Sequence, residues 1–182
     1  MQLKSVAFAA VMAFSALSAS ALTLQPYEVS KGSKTFADAG AFTDVHLIEF
    51  GSGFDAFPAA ELGFALTELK LNSIVDINFD SVAFYAYGDY DPLTKQITGA
   101  AFKSLTLTAA NGPADSVSTN FSYATTPFWM VIKGDAVGTG LTKGSYSFEM
   151  VAAPVPEPQT YALTASGLAL VGWLAARRRR AA

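Results

Sequence analysis

Polar and apolar residues alternate along much of the chain between residues 40 and 151, and this period of two is typical of strands that bury one face. The alternation is clearest over residues 43–50. One face of this predicted strand carries Phe42, Asp44, His46, Ile48 and Phe50, and the other carries Val45 and Leu47. Residues 64–71 are compatible with a strand or a short helical turn, and the parity of their polar and apolar positions favours the strand.

Further strands are predicted at residues 76–87, 102–109, 120–124, 128–133 and 145–151. Glycine, asparagine, aspartate and proline separate them, and these residues favour turns because of their backbone preferences. Short strands at this spacing predict an all-β domain, an antiparallel β-sandwich that is jelly-roll-like or barrel-like. Outside the two chain ends no segment has a convincing helical period.

The first 21 residues have the organisation of a secretory signal peptide. Lys4 precedes an apolar run over residues 6–17, and Ala19-Ser20-Ala21 supplies the small residues that signal peptidase requires. The pattern predicts a signal helix, export through the Sec translocon and cleavage after Ala21. An uncleaved membrane anchor is the alternative.

A second apolar run occupies residues 161–176 and contains no charged residue. As a helix its 16 residues would span about 24 Å, against a hydrocarbon core of about 30 Å, and flanking side chains can cover part of the difference. A single transmembrane helix is therefore predicted over about 160–176. The basic cluster that follows, which should stay on the cytoplasmic side, is Arg177, Arg178, Arg179 and Arg180.

Before this run, Pro156-Glu157-Pro158 should form a stiff, exposed connector, since each proline fixes its own backbone angle and restricts the preceding residue. The chain thus divides into a signal peptide (1–21), a secreted β-domain (22–153) and a C-terminal segment (154–182).

The order of Pro-Glu-Pro, one apolar helix and a terminal basic cluster resembles the sorting signal of bacterial PEP-CTERM proteins. The resemblance implies recognition through Pro156, Glu157 and Pro158 by an exosortase-type membrane protease or transpeptidase, which removes the apolar anchor. It also implies a Gram-negative source, transient residence in the inner membrane, and final placement on the cell surface or in an exopolysaccharide or biofilm matrix. A plain single-pass anchor that is never cut is the alternative.

A shorter stretch, Phe42-Thr43-Asp44-Val45-His46, resembles the segment for which the FxDxF family of PEP-CTERM proteins is named. His46 stands where the second phenylalanine of that pattern would be. Such proteins have an uncharacterised secreted β-domain, so this resemblance implies no particular reaction.

Charge and cysteine content exclude several functions for the secreted body. Between residues 22 and 154 the chain has seven lysines, fourteen acidic residues and no arginine, which gives a net charge of −7. A domain this acidic has no electrostatic footprint for nucleic acid. The chain has no cysteine, which excludes disulfides, a thiol nucleophile and thiolate metal ligands.

Catalytic signals are sparse. His46 is the one histidine of the chain, and Asp44 would share its strand face, so a Ser-His-Asp arrangement would have to use this pair. The chain has no Gly-x-Ser-x-Gly motif, and a histidine among apolar strand residues is usually structural. Paired carboxylates for glycoside cleavage are the other candidate, and the acid pairs are Asp76 with Asp80 on one strand face and Asp89 with Asp91 in a turn. We therefore predict a protein without catalytic residues.

Asp89 and Asp91, beside Gly88, are weak candidates for calcium ligands because carboxylates offer hard oxygen donors. They lack the twelve-residue loop with its closing glutamate, so turn formation is the favoured role and no cofactor is predicted.

Aromatic residues make up 13% of the chain. Most are expected in the core of a disulfide-free sandwich, and Tyr90, in a turn, is expected to be the exposed one. The sequence as a whole predicts a non-enzymatic exported surface or matrix protein. The alternatives are a carbohydrate-binding module and a secreted hydrolase.

Overall fold

Strands account for most of the domain. A computed structural model describes residues 20–91, 94, 96–106, 116–156, 162–171 and 173. The strands are β1 (Ser20–Leu24), β2 (Val29–Phe36), β3 (Gly40–Phe50), β4 (Ala59–Glu68), β5 (Ile77–Ala86), β6 (Tyr90–Asp91), β7 (Gln96–Ile97), β8 (Lys103–Thr106), β9 (Ser116–Ala124), β10 (Phe128–Ala136) and β11 (Gly144–Val155). Two single-turn 3₁₀ helices lie at Ser52–Phe54 and Tyr87–Asp89, and residues 162–171 form an α-helix.

The strands form two packed sheets, with orders β1-β3-β10-β5-β8 and β2-β11-β4-β9, and a separate hairpin, β6-β7. β2 pairs with β11, β3 with β10, β4 with β9 and β5 with β8, all antiparallel. The first strand of the series thus pairs with the last, the second with the next to last, and so on to β5 and β8, which are neighbours in the five-stranded sheet. The four pairs alternate between the two sheets. This is the topology of a double-sheet jelly roll, which confirms the predicted antiparallel sandwich.

One apolar core fills the space between the sheets. The alternation predicted for residues 43–50 is confirmed, since Phe42, Asp44, His46 and Ile48 are all buried on the inner side of β3. Aromatic rings from both sheets dominate this core. Such rings replace the disulfides that many secreted domains use, because each buries a large apolar area.

The strand predicted over residues 64–71 is also confirmed, as β4. It ends at Glu68, and Glu68 is itself buried, where its Oε1 accepts a hydrogen bond of 2.5 Å from the backbone N–H of Ile77. Leu69 and Leu71 lie beyond the strand and are exposed. Glu68, a polar residue of the alternating pattern, therefore lies inside the domain because it accepts the hydrogen bond of the buried Ile77 N–H.

Two features depart from the sequence prediction. β1 pairs with β3 in parallel, so the five-stranded sheet is not wholly antiparallel. β1 also begins at Ser20, two residues before the predicted start of the mature domain. Leu24 of this strand is fully buried, so β1 is part of the packed core.

A second, smaller apolar cluster lies on the outer face of the five-stranded sheet. The β6-β7 hairpin folds back over this face and covers Val45, Trp129 and Val131 with Tyr90 and Ile97. The outward residues of β3 and β10 can be apolar here because the hairpin shields them from water.

Candidate functional site

The C-terminal segment begins inside the four-stranded sheet. β11 extends to Val155, and its last residues pair with β4, with Pro154 opposite Ala60 and Val155 opposite Ala59. β2 pairs with β11 as far as Val151, and one further bridge joins Pro26 to Ala152, where Tyr27 N donates to the Ala152 carbonyl. Among the described strands, none pairs with this side of β11 beyond Ala152. Proline lacks a backbone donor and is tolerated at such an edge, which explains a buried Pro154 within a strand.

Pro156 is half-buried and follows the end of β11. Glu157 and Pro158, the rest of the predicted recognition motif, lie outside the described residues, as do Arg177, Arg178, Arg179 and Arg180. Within the predicted 160–176 span, residues 162–171 and 173 are helical and exposed, Leu163 by 76% and Leu168 by 70%. None of the helices in the described part of the chain has the length and apolar character needed to cross a bilayer.

The predicted signal-peptidase site lies at the opposite end of the chain. Ala19 is outside the described residues, and Ala21 is an exposed residue of β1. A cut after Ala21 would leave Leu22–Leu24 on β3 and would remove Ser20. The position of the cut remains a prediction.

A buried polar cluster joins the two sheets and is the most chemically distinctive part of the domain. His46 Nε2 lies 3.3 Å from Asp44 Oδ2 and 3.3 Å from the hydroxyl of Tyr146, which is on β11. The Tyr146 hydroxyl donates a hydrogen bond to Asp44 Oδ2. On the other side of the imidazole, Nδ1 is 2.5 Å from Ser20 Oγ. Each polar group in this core therefore has a partner, as burial requires.

The directions of these bonds indicate the histidine tautomer. Tyr146 uses its proton toward Asp44, so its oxygen can accept one from Nε2 of His46. Nδ1 then accepts from the hydroxyl of Ser20. Phe148 packs edge-on against the imidazole at a centroid distance of 4.7 Å and fixes the ring plane.

The pKa values of the two acids in this cluster shift in opposite directions. Burial by itself raises the pKa of Asp44, but the hydrogen bonds from His46 and Tyr146, together with the positive charges of His46 in its protonated form and of Lys34, outweigh burial and leave that pKa lowered. Burial raises the pKa of the Tyr146 hydroxyl, and the adjacent Asp44 carboxylate raises it further. The cluster thus holds an ionised carboxylate beside a neutral phenol.

The cluster brings together the residue types of a Ser-His-Asp triad, with Nδ1 toward the serine and Nε2 toward the aspartate, the reverse of the protease arrangement. Asp44 and His46 are 5% and 4% exposed, so a substrate has little access to them. The sequence identified Asp44 and His46 but not Tyr146, which is 102 residues from Asp44 and carries no local signal of its role.

The aspartates proposed as weak calcium ligands serve the β6-β7 hairpin. Asp91 Oδ2 accepts a hydrogen bond of 2.8 Å from Thr94 Oγ1, and the backbone carbonyl of Asp89 accepts one from Thr98 N. Within the described residues, no three histidine, aspartate or glutamate side chains are grouped to hold a metal ion.

The expectation that Tyr90 is exposed is wrong. Tyr90 is buried, with its ring centroid 4.6 Å from that of Trp129. β6 pairs with β7, and this hairpin packs against the outer face of the five-stranded sheet, so Tyr90 faces inward. Tyr87 is the exposed member of this group, at 56%, and stacks on Trp129 with a centroid distance of 5.9 Å and an interplanar angle of 7°.

Comparison with known proteins bears on the C-terminal segment. Residues 154–180 match the family model of the PEP-CTERM protein-sorting motif. This motif marks an exported, envelope-directed protein that an exosortase-type membrane enzyme processes. No curated protein matches the chain, and the resemblance to the FxDxF proteins stays a prediction.

Proposed function

Since the chain carries a PEP-CTERM sorting motif, we propose that it is a non-enzymatic jelly-roll protein of the bacterial cell surface or exopolysaccharide matrix. It is exported by Sec and held briefly in the inner membrane by residues 160–176. Exosortase recognises Pro156-Glu157-Pro158, removes the anchor and releases the domain. The observation that carries this proposal is the match of residues 154–180 to the sorting motif.

The fold supports release in two ways. Among the residues that the structure describes, none beyond Pro154 is buried in the core, so removal of the anchor leaves the described core intact. The secreted body has a net charge of −7, which keeps a released domain soluble. The four C-terminal arginines, by contrast, hold the last residues in the cytoplasm until the chain is cut.

A non-enzymatic role is favoured by the site chemistry. In the uncut chain the one histidine lies in the core, hydrogen-bonded on both ring nitrogens. Its serine partner, Ser20, belongs to the segment that signal peptidase is predicted to remove. The Asp44-His46-Tyr146 cluster therefore has a structural role, in which its hydrogen bonds join the two sheets.

The experiment is cell fractionation in a host with and without an active exosortase. With the enzyme, the domain should be found in the medium or surface fraction. Without it, the full chain should stay with the inner membrane. Equal release in both strains would contradict processing by exosortase, and Glu157→Gln, which changes one motif residue, should retain the chain in the membrane even when the enzyme is present.

Polysaccharide binding is the second candidate, and the exposed Tyr87 favours it. The Trp129 indole supports one face of its ring, and Trp129 Nε1 donates a hydrogen bond of 2.9 Å to the Tyr87 carbonyl. A fixed, exposed aromatic ring is a surface on which a sugar ring can stack. The test is retardation in gels that contain the producer's own polysaccharide.

Tyr87→Ala should abolish this retardation, whereas Tyr27→Ala, which removes another exposed tyrosine at 73%, should not. Equal retardation of the two variants would exclude Tyr87 as the binding platform.

A further inference from the structure

The end of the sandwich opposite to the sorting motif exposes a group of aliphatic side chains, here named the aliphatic tip. It is formed by residues 69–75, between β4 and β5, and residues 137–143, between β10 and β11. Its large exposed side chains are Leu69 at 65%, Leu71 at 56%, Ile74 at 48%, Val137 at 41% and Leu141 at 98%. With almost its whole surface in water, Leu141 adds nothing to the packing of its own chain.

Backbone hydrogen bonds join the two segments of the tip into one surface. The N–H groups of Val137, Thr139 and Gly140 donate to the carbonyls of Asp76, Ser73 and Ile74, each at 2.9 Å. A side chain at Gly138 or Gly140 would collide with the backbone of Ile74, which shows how closely the segments pack. The aliphatic side chains are thus presented by an ordered surface, which lowers the entropic cost of binding.

Surface charge is balanced at this end and negative elsewhere. Leaving aside the buried Asp44 and Glu68, four lysines and four acids lie in the half of the described domain that ends in the tip: Lys34, Lys70, Lys133, Lys143, Asp38, Asp76, Asp80 and Asp135. The other half has two lysines and seven acids: Lys31, Lys103, Glu28, Glu49, Asp55, Glu61, Asp89, Asp91 and Glu149. Two copies of the domain therefore repel each other least when they approach tip to tip.

The chain's own apolar tail leaves the domain at the end opposite to the tip. Six residues separate Val155 from the helix at 162, a reach of about 20 Å at most. β11 has 12 residues, so the tip lies about 40 Å from the point where the tail leaves the sheet. A bilayer that holds the tail faces the opposite end of the domain.

We propose that the aliphatic tip is a self-association surface that binds the tip of a second copy of this chain in a two-fold arrangement. A two-fold contact pairs the same patch on both copies, and an aliphatic patch with balanced charge is complementary to itself. Patches of a few hundred Å² are small beside the roughly 1,200–2,000 Å² of stable interfaces, so the association is weak and reversible.

Tip-to-tip association would allow released copies of the protein to pair at the cell surface or in the matrix. Chains anchored in one membrane point their tips in the same direction, so tip-to-tip pairs form between released copies. That pairs form only after release rests on the proposed processing by exosortase. The association of the tips does not rest on it, because association is measured on the uncut chain.

The absence of cysteine makes a direct test simple. Ser73→Cys places one thiol at the tip, and Ser52→Cys places one near the opposite end; both serines are exposed. Each full-length variant is treated in detergent micelles with a short bis-maleimide at several protein concentrations. Ser73→Cys should give a covalent dimer in a concentration-dependent yield well above that of Ser52→Cys.

Adding Leu141→Ser to Ser73→Cys should weaken association about tenfold or more, because burial of a leucine is lost from both copies. Leu71→Ser should act in the same direction. Thermal unfolding of Leu141→Ser should match that of the parent, since Leu141 is exposed. Equal dimer yields from the two cysteine positions, or a yield that Leu141→Ser leaves unchanged, would overturn the proposal.

Discussion

Pro154 lies opposite Ala60 in the four-stranded sheet, so the sorting motif begins within the folded domain. The motif starts at residue 154 and β11 ends at Val155, and these two residues belong to both. A cut before Val155 would take the buried Pro154 out of the sheet. The domain therefore keeps its last strand intact only if processing occurs C-terminal to Val155.

Gly32 should be essential for packing between β2 and the core. A Cβ at this position would collide with the ring of Phe148, the residue opposite it on β11. We expect Gly32→Ala to lower the free energy of unfolding by about 1–3 kcal/mol, as overpacking does. Urea denaturation measures this, with Gly88→Ala as the matched control, because a Cβ at Gly88 meets no atom within 4 Å. Equal midpoints for the two variants would contradict the packing described.

Asp44 should make folding stability depend on pH in the acidic range. Its pKa is lowered in the folded state, so its contribution is complete above its unfolded value of about 3.9 and is lost as the pH falls through the folded value. Asp44→Asn keeps the shape but not the charge. The difference in unfolding free energy between parent and variant should shrink as the pH is lowered from 7 toward 2. A difference that stays constant with pH would show that the charge of Asp44 does not stabilise the fold.

The Tyr146 hydroxyl should contribute to stability through the bonds it makes with Asp44 and His46. Tyr146→Phe leaves both partners short of a buried hydrogen bond, and we expect a loss of about 1–3 kcal/mol in the free energy of unfolding. Tyr123→Phe removes a hydroxyl from a half-buried ring stacked on Phe102 and should change it by less than about 0.5 kcal/mol. Calorimetry at neutral pH compares the two, and similar losses would argue against a special role for Tyr146.

Tyr90 and Tyr87 should affect different properties of the same hairpin. Tyr90→Ala removes a buried ring from its contact with Trp129 and should lower the free energy of unfolding by about 3 kcal/mol. Tyr87→Ala removes an exposed ring and should leave stability within about 1 kcal/mol of the parent. Thermal unfolding followed by tryptophan fluorescence distinguishes the two, and a larger loss for Tyr87→Ala would contradict the burial assigned here.

The fold could be predicted where one face of a strand is buried, because burial imposes a period of two on the sequence. For this reason the prediction placed Asp44 and His46 on the same face of β3, and the structure confirms that both are buried there. Tyr146 could not be assigned to this cluster from the sequence, because β11 belongs to the other sheet and its contact with Asp44 forms only when the two sheets pack together. Tyr90 was misplaced for a related reason: turn residues such as Asp89 predict a reversal of the chain but not the surface onto which it folds.

The N-terminal boundary of the folded domain could not be predicted from the sequence, for a different reason. The small and apolar residues of β1 continue the composition of a signal peptide, so the strand that starts at Ser20 gives no separate pattern. The sorting motif was predictable because its elements are local in sequence. The aliphatic tip was not, because exposed leucines such as Leu141 look like core residues until the strands are paired.

The intact mass of the released protein shows whether the chain is cut at the sorting motif. We expect a chain that begins at Leu22, keeps Val155 and ends between residues 156 and 161, so that the apolar run and all four arginines are absent. A released form that retains residues 161–180 would contradict processing at the sorting motif. A form that ends before Val155 would contradict the requirement that β11 remain whole.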